Sequence, residues 1–218
     1  MSFLLQPLVR WDWVWDHRPE IWTQTKEHIV LTAIAVGIGL LIASVLSAIA
    51  LRFRWTYPPI TMITGMLYTI PSLALFAFFV PYTGLSRTTA EIALVSYTLL
   101  ILIRNIVAGI QGVPHDVQEA AEGMGYTPAR AFLDVQLPLA LPVIIAGIRI
   151  ATVTVIGLVT VTSLIGQGGL GAFILDGLRR DFYTPLMVGA VMSVLLAVFA
   201  DLLLLAAQRL LAPWRSFA

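Results

Sequence analysis

The chain has 218 residues, 59% hydrophobic and 11% charged, with mean hydropathy +0.90 and formal net charge +1. Soluble chains carry about a quarter charged residues, so a soluble domain is excluded, and the alternating segments of about ten residues that a membrane β-barrel requires are absent. No cysteine is present, which removes disulfides and thiolate metal sites. What remains is an all-α polytopic membrane protein, because several uncharged stretches exceed the roughly 20 residues needed to cross a bilayer core.

Residues 1–27 mix Trp11, Trp13, Trp15 and Trp22 with Arg10, Asp12, Asp16, Arg18 and Glu20. Tryptophan favours the headgroup level, so this stretch reads as an interfacial segment lying on the membrane. It is not a cleavable signal, since no apolar run follows a basic start. A first span is expected over about 28–51, rich in small residues such as Gly37, Gly39, Ala43 and Ser47 that let helices approach closely.

A second span is expected over about 57–82, with Pro58 and Pro59 suited to a helix start. Pro71, inside Thr69-Ile-Pro-Ser72, removes a backbone donor and predicts a kink or break. The break reads equally as a pathway-lining element or as a packing kink. A third span covers about 88–110, a fourth 139–165 and a fifth 185–211, with a 212–218 tail in which Trp214 and Arg215 form an interfacial stop. Gly166-Gln-Gly-Gly-Leu-Gly171 reads as a flexible segment between the fourth and fifth. Five crossings put the termini on opposite sides. Basic residues divide almost evenly, with Arg52, Arg54, Arg130, Arg209 and Arg215 on the face of the long loop and Arg10, Arg18, Lys26, Arg87, Arg179 and Arg180 on the other, so the positive-inside rule gives no orientation.

The loop 111–138 is the longest polar interruption between the first and last spans. Pro114 opens a helix where its missing N–H costs nothing, and Asp116 suits the positive end of that helix. Glu119 and Glu122 share one face, Ala120 and Ala121 keep the helix slim, and Gly123 and Gly125 supply the reversal. Thr127-Pro128 then caps and opens a second helix toward Val135-Gln-Leu-Pro138. A slim acidic helix on a hairpin suits a cleft on a partner protein; a solvated hairpin without a partner fits charge and pattern equally well.

Catalytic chemistry is poorly served. There is no GxxxxGK[ST] and the single lysine is Lys26, so the chain has no phosphate-binding loop. His17, His28 and His115 show no metal-ligand spacing. Arg104, Arg149 and Asp201 lie deepest in the spans, where charges normally pair or face a wet cavity. Asp201 is expected to neutralise Arg149, Arg104 or both and so tie three spans together; an ion relay is the sharper alternative. Tyr68, Phe76 and Tyr97 could give cation–π contacts along a pathway near Pro71, although core packing is the commoner use of such rings.

Glu119-Ala120-Ala121, Gly125 and Val135-x-Leu137-Pro138 stand at the spacing EAA-x3-G-x9-I-x-L-P, with valine for isoleucine the one departure. This resembles the signature of permease subunits in binding-protein-dependent ABC importers. Thr69-Ile-Pro-Ser-Leu-Ala74 and Ile165-Gly-Gln-Gly-Gly-Leu-Gly171 are similar to the subgroup that imports glycine betaine, carnitine, choline and related osmoprotectants, although amino-acid importers share a similar Gly-Gly-Leu-Gly stretch. The resemblance implies a type I importer permease in a prokaryotic plasma membrane, with a cytoplasmic coupling hairpin, N-terminus outside and C-terminus inside. It implies that Glu119 contacts an ATPase, that Ala120 and Ala121 allow close docking, and that Gly125 makes the turn. It also implies two ATP-binding cassette subunits, a second permease subunit, identical or paralogous, and an extracytoplasmic solute-binding protein, since no fused binding domain follows. ATP and magnesium would then be bound by the partner ATPase, with no cofactor in this chain, and no nucleic acid is involved. Gly168, Gly169 and Gly171 become candidates for gating or binding-protein contact. A zwitterionic amino acid is the alternative cargo. An ion-coupled secondary transporter would show paired broken helices in internal repeats, and only Thr69–Ser72 suggests one.

Overall fold

A computed structural model describes residues 9–212, so Trp214 and Arg215 lie outside the described residues. Ten α-helices follow in order. They are α1 (Trp11–Asp16), α2 (Arg18–Arg52), α3 (Tyr57–Thr69), α4 (Ser72–Thr83) and α5 (Arg87–Gln111), then α6 (His115–Gly123), α7 (Pro128–Ala131), α8 (Leu137–Thr162), α9 (Gly171–Arg180) and α10 (Tyr183–Leu211).

The helix α5 is the hub, with α2, α3, α4 and α8 packed around it. Its contact with α2 follows from residue size. The buried stripe of α2 runs Leu31, Ala35, Gly39, Ala43, Ser47 and Ala50, and small side chains at this repeat let two backbones approach closely where hydrocarbon supplies no hydrophobic drive. Two core clusters result. One joins Leu31 and Ala35 to Leu75, Phe76, Ala90, Leu94, Val155 and Val159. The other joins Ala43 and Ala50 to Leu102, Ile103, Val107 and Ala151, with Tyr57 and Ile60 against it.

The expected second span is not one straight helix. It is broken at Ile70-Pro71 into α3 and α4, bent by 98°. Proline at 71 cannot donate to the preceding turn, and Ile70 takes an extended conformation, φ −65° and ψ 130°. The freed Ile70 carbonyl accepts from the Tyr97 hydroxyl on α5. The broken pair runs alongside α5. Tyr57 and Ile60 pack beside Ile103 and Val107 near one end of α5, Ile70 meets its middle, and the Thr83 hydroxyl lies 2.6 Å from that of Thr89 at its other end. Four helices, built on α2, α5, α8 and α10, are long and apolar enough to cross a membrane, and the bent pair makes a fifth crossing if it is one span.

Two other boundaries move. The fourth crossing is already helical at Pro128, passes through a π-helical turn at Phe132–Gln136 and continues to Ile165, 38 residues in all. The Thr127 hydroxyl caps its start by accepting from the Arg130 N–H at 3.4 Å. Likewise, residues 18–27 do not lie flat as a separate segment. They are the first turns of α2, which runs unbroken for 35 residues because nothing after Pro19 interrupts it. Trp13 in α1 is held edge-on by Phe173 and Phe182, both 5.9 Å away between ring centres, so α1 is docked on α9 and the start of α10.

Candidate functional sites: an exposed hairpin, an intramembrane ion pair and a tethered glycine segment

The hairpin is formed by α6 and α7. Met124 donates to the Ala120 carbonyl, Gly125 to that of Glu122 and Tyr126 to that of Ala121, closing the reversal. Gly125 sits at φ +83°, a conformation that costs other residues roughly 1–2 kcal/mol. Glu119 and Ala120 point outward, and the Glu119 carboxylate lies 3.3 Å from His115 Nδ1 one turn earlier. Ala121 differs from expectation. At 1% exposure it faces into the hairpin, so its small side chain serves packing of the two limbs and not an external contact. Val135, Leu137 and Pro138 are half-buried in the π-helical turn and the start of α8. Just beside them Gln136 donates to the Gln118 carboxamide at 3.4 Å, fixing α6 against the rod that continues into the membrane.

Within the spans, Arg149 donates from Nε to Asp201 Oδ1 at 2.9 Å and from Nη2 to Oδ2 at 2.8 Å. This bidentate geometry is the strongest that guanidinium and carboxylate can make. Gln208 completes it, accepting from Arg149 Nη1 at 3.2 Å and donating to the Pro142 carbonyl at 3.0 Å. The pair therefore ties α8 to α10 alone. Arg104 is not part of it. The rotation of α5 turns that side chain to the exposed surface, and no carboxylate among the described residues pairs with it. Gln208 went unnoticed in the sequence because burying a neutral amide costs far less than burying a charge, so a glutamine near a helix end does not single itself out.

The aromatic candidates divide. Phe76 is wholly buried in the core beside α5, and Tyr97, 5% exposed, has its hydroxyl committed to Ile70. Both pack within this chain. Tyr68, 38% exposed with its ring 6.0 Å from that of Tyr97, is the one that faces outward. Pro71 caps the start of α4 at the break.

The segment 166–171 is held, not loose. The Gly169 N–H donates to Gln24 Oε1 at 2.7 Å and the Leu170 N–H to His28 Nδ1 at 3.2 Å. Since Nδ1 accepts, Nε2 carries the proton and donates to the Ile156 carbonyl at 2.9 Å. His28, with no exposed surface, thus clips α2, α8 and the glycine segment together. The backbone approaches so closely that a Cβ at Gly168 would fall 1.9 Å from Glu27 Oε2 and one at Gly171 2.0 Å from the Thr160 carbonyl. Sequence reading missed His28, Gln24 and Glu27; an i, i+3, i+4 polar cluster next to an apolar span was the available signal. Replacing His28 by leucine strands the Leu170 N–H, a loss of about 1–3 kcal/mol. His28→Leu should melt earlier than the parent in detergent by intrinsic fluorescence, with Gln24→Leu showing the smaller shift expected nearer the surface.

Residues 35–216 match the family described as the binding-protein-dependent transport system inner membrane component. The chain belongs to that family. Among its relatives, the choline transport system permease protein OpuBB of Bacillus subtilis is 41% identical over 196 residues, 89% of each chain. The glycine betaine/carnitine/choline permease protein OpuCB of the same organism is 36% identical over 89% of each. The osmoprotectant import permease protein OsmW of Salmonella typhimurium is 36% identical, over 87% of this chain and 90% of its own. The fold is that of the MetNI methionine ABC transporter in an inward-facing form (TM-score 0.75, 19% identity, 88% and 96% covered). It is also that of an amino acid ABC transporter crystallised with histidines (TM-score 0.76, 21% identity, 92% and 98% covered). As a member of this family the chain is a membrane-embedded permease component of an import system.

Proposed function

We infer that this permease carries a quaternary-ammonium osmoprotectant such as choline, glycine betaine or carnitine, received from a separate binding protein and driven by ATP hydrolysed in partner subunits. The observation that carries the coupling half of this reading is the hairpin, which presents Glu119 and Ala120 on a short exposed helix rigidly joined to a membrane span. The cargo class rests on the relatives, whose names specify choline, glycine betaine and carnitine.

Mechanically, α6 and α7 sit at the head of a rod that runs from Pro128 to Ile165. Closure of docked ATPases against the hairpin displaces this rod along its length. The π-helical turn at Phe132–Gln136 interrupts the regular hydrogen bonding of this rod and is the point where it yields, π turns inside helices being frequent at functional sites. At its far end the same rod meets His28 through Ile156 and the glycine segment through Thr160, so displacement at the hairpin reaches the opposite face. A second permease subunit completes the pathway, with the hairpin in the cytoplasm and α1 outside. The cycle runs because solute and ATP favour different states of the assembly.

The test is uptake into proteoliposomes holding the permease, its ATPase and its binding protein. Labelled choline, glycine betaine and carnitine, with methionine as the contrasting amino acid, are supplied in turn. ATP-dependent accumulation of at least one ammonium solute, absent without the binding protein, is the expected result. Accumulation of methionine alone would overturn the cargo assignment and leave the coupling assignment standing.

A further inference from the structure

Gln24 and His28 hold the glycine segment from one face of α2's N-terminal turns. The exposed face of the same turns takes no part in the sites above, yet it carries a regular pattern. Trp22, Lys26, Ile29, Ala33 and Val36 fall at steps of four and three, so they form one stripe down a single helix face. Trp22 is 59% exposed and Lys26 is exposed, with its ammonium 5.0 Å from the Trp22 ring centre. Among the described residues no carboxylate pairs with Lys26. Counting about 20 residues back from Leu51 sets the edge of the hydrocarbon near Thr32. Lys26 then stands about 9 Å beyond it, at headgroup level, where tryptophan is also most at home.

Directly below, the same stripe becomes the wall of a groove of about 360 Å³. Ile29 and Ala33 of α2 form one side, Leu196 and Leu203 of α10 the other, and Thr152 and Ile156 of α8 the floor. The groove offers nothing to a polar occupant. The Thr32 hydroxyl is spent on the His28 carbonyl at 2.9 Å and that of Thr152 on the Ile148 carbonyl at 2.8 Å. Each wall extends eight residues, or about 12 Å, along the membrane normal.

We propose that the α2–α8–α10 groove and Lys26 together form a binding site for one anionic phospholipid in the leaflet opposite the hairpin. The acyl chain lies over Ile156 between α2 and α10, and the headgroup phosphate meets the Lys26 ammonium beside Trp22. An unpaired cation at headgroup level attracts an anionic lipid, and an apolar slot opening beneath it on the lipid-facing surface accepts the chain of the same molecule. The charge at the mouth selects this occupant over a second protein helix, which would leave the ammonium unpaired unless it also brought an acidic side chain to that point.

The permease is reconstituted into nanodiscs of equal phosphatidylglycerol and phosphatidylethanolamine, extracted in mild detergent and weighed by native mass spectrometry. Retention of one phospholipid per permease chain is expected, enriched in phosphatidylglycerol roughly fivefold over the bulk, the effect of one lysine near the surface. Lys26→Gln is expected to keep the lipid and lose the enrichment, and Ala33→Trp, which fills the groove, to lose the lipid. Unchanged enrichment in Lys26→Gln overturns the proposal, and so does unchanged retention in Ala33→Trp. A change in oligomeric mass with Ala33→Trp, in place of lipid loss, assigns the groove to a second copy of the chain and overturns it equally. Lys26 is exposed, so its variant tests the site even if Ala33→Trp fails to fold.

Discussion

Gly125→Val uncouples transport while the permease remains in the membrane at its normal level. Gly125 sits at φ +83° in an exposed reversal whose backbone bonds join α6 to α7. Valine pays the left-handed cost of about 1–2 kcal/mol and adds a branched side chain at Cβ. Relieving it is expected to turn α6 and move Glu119 and Ala120 off the face proposed to meet the ATPase. A loss of 1–2 kcal/mol corresponds to a factor of about 5–30 in an equilibrium, so co-purification of the ATPase falls by that order and ATP-driven uptake falls with it. Gly125→Asn retains most of both, since asparagine tolerates the left-handed region. Glu119→Lys, which reverses one exposed charge without straining the backbone, weakens ATPase association in a salt-dependent way. If Gly125→Val and Glu119→Lys both sustained normal ATP-coupled uptake, the hairpin would not be the coupling element.

The second large effect concerns Asp201. Asp201→Asn keeps the shape but removes the charge that Arg149 holds through two hydrogen bonds. The guanidinium then stays in the span with only neutral side-chain acceptors, the one amide oxygen left at position 201 and that of Gln208. Stranding one member of such a pair is far worse than removing both. Membrane levels of Asp201→Asn are therefore expected to fall several-fold by immunoblot, whereas the doubly neutral Arg149→Met/Asp201→Leu recovers most of the loss. Whatever transport survives in Asp201→Asn is expected to keep the parent's dependence on pH, as follows for a pair whose role is to join α8 to α10. A displaced pH profile in normally accumulating Asp201→Asn would instead support a relay.

How much of this was readable beforehand depends on how local the determinants are. The hairpin was legible because proline starts, glycine stops and charge placement act within a few residues. The need for Asp201 to find an arginine was legible too, since hydrocarbon makes unpaired charge expensive. Which arginine it finds was not, because that depends on the rotation of α5, which carries Arg104 to the surface. Ala121 illustrates the same limit at one residue: its neighbour Ala120 is exposed, yet 121 turns inward. His28 lay further out of reach, since its two partners stand 128 and 142 residues away. The tryptophans were misleading for a different reason. Their interfacial preference was read as one segment apart, whereas Trp22 rides on the extended start of α2 and Trp11, Trp13 and Trp15 sit on α1, docked against α9 and α10.

The break at Ile70-Pro71 bears on how the chain is made. Its halves, 13 and 12 residues long, extend about 20 and 18 Å, each short of the roughly 30 Å that a self-sufficient crossing needs. The carbonyl exposed between them is satisfied by Tyr97, which leaves the ribosome later. In hydrocarbon an unmet carbonyl is costly, so the second crossing settles only when the third arrives to complete it. An ordered biogenesis is the expected consequence, with α3 and α4 seated stably only once α5 is present beside them.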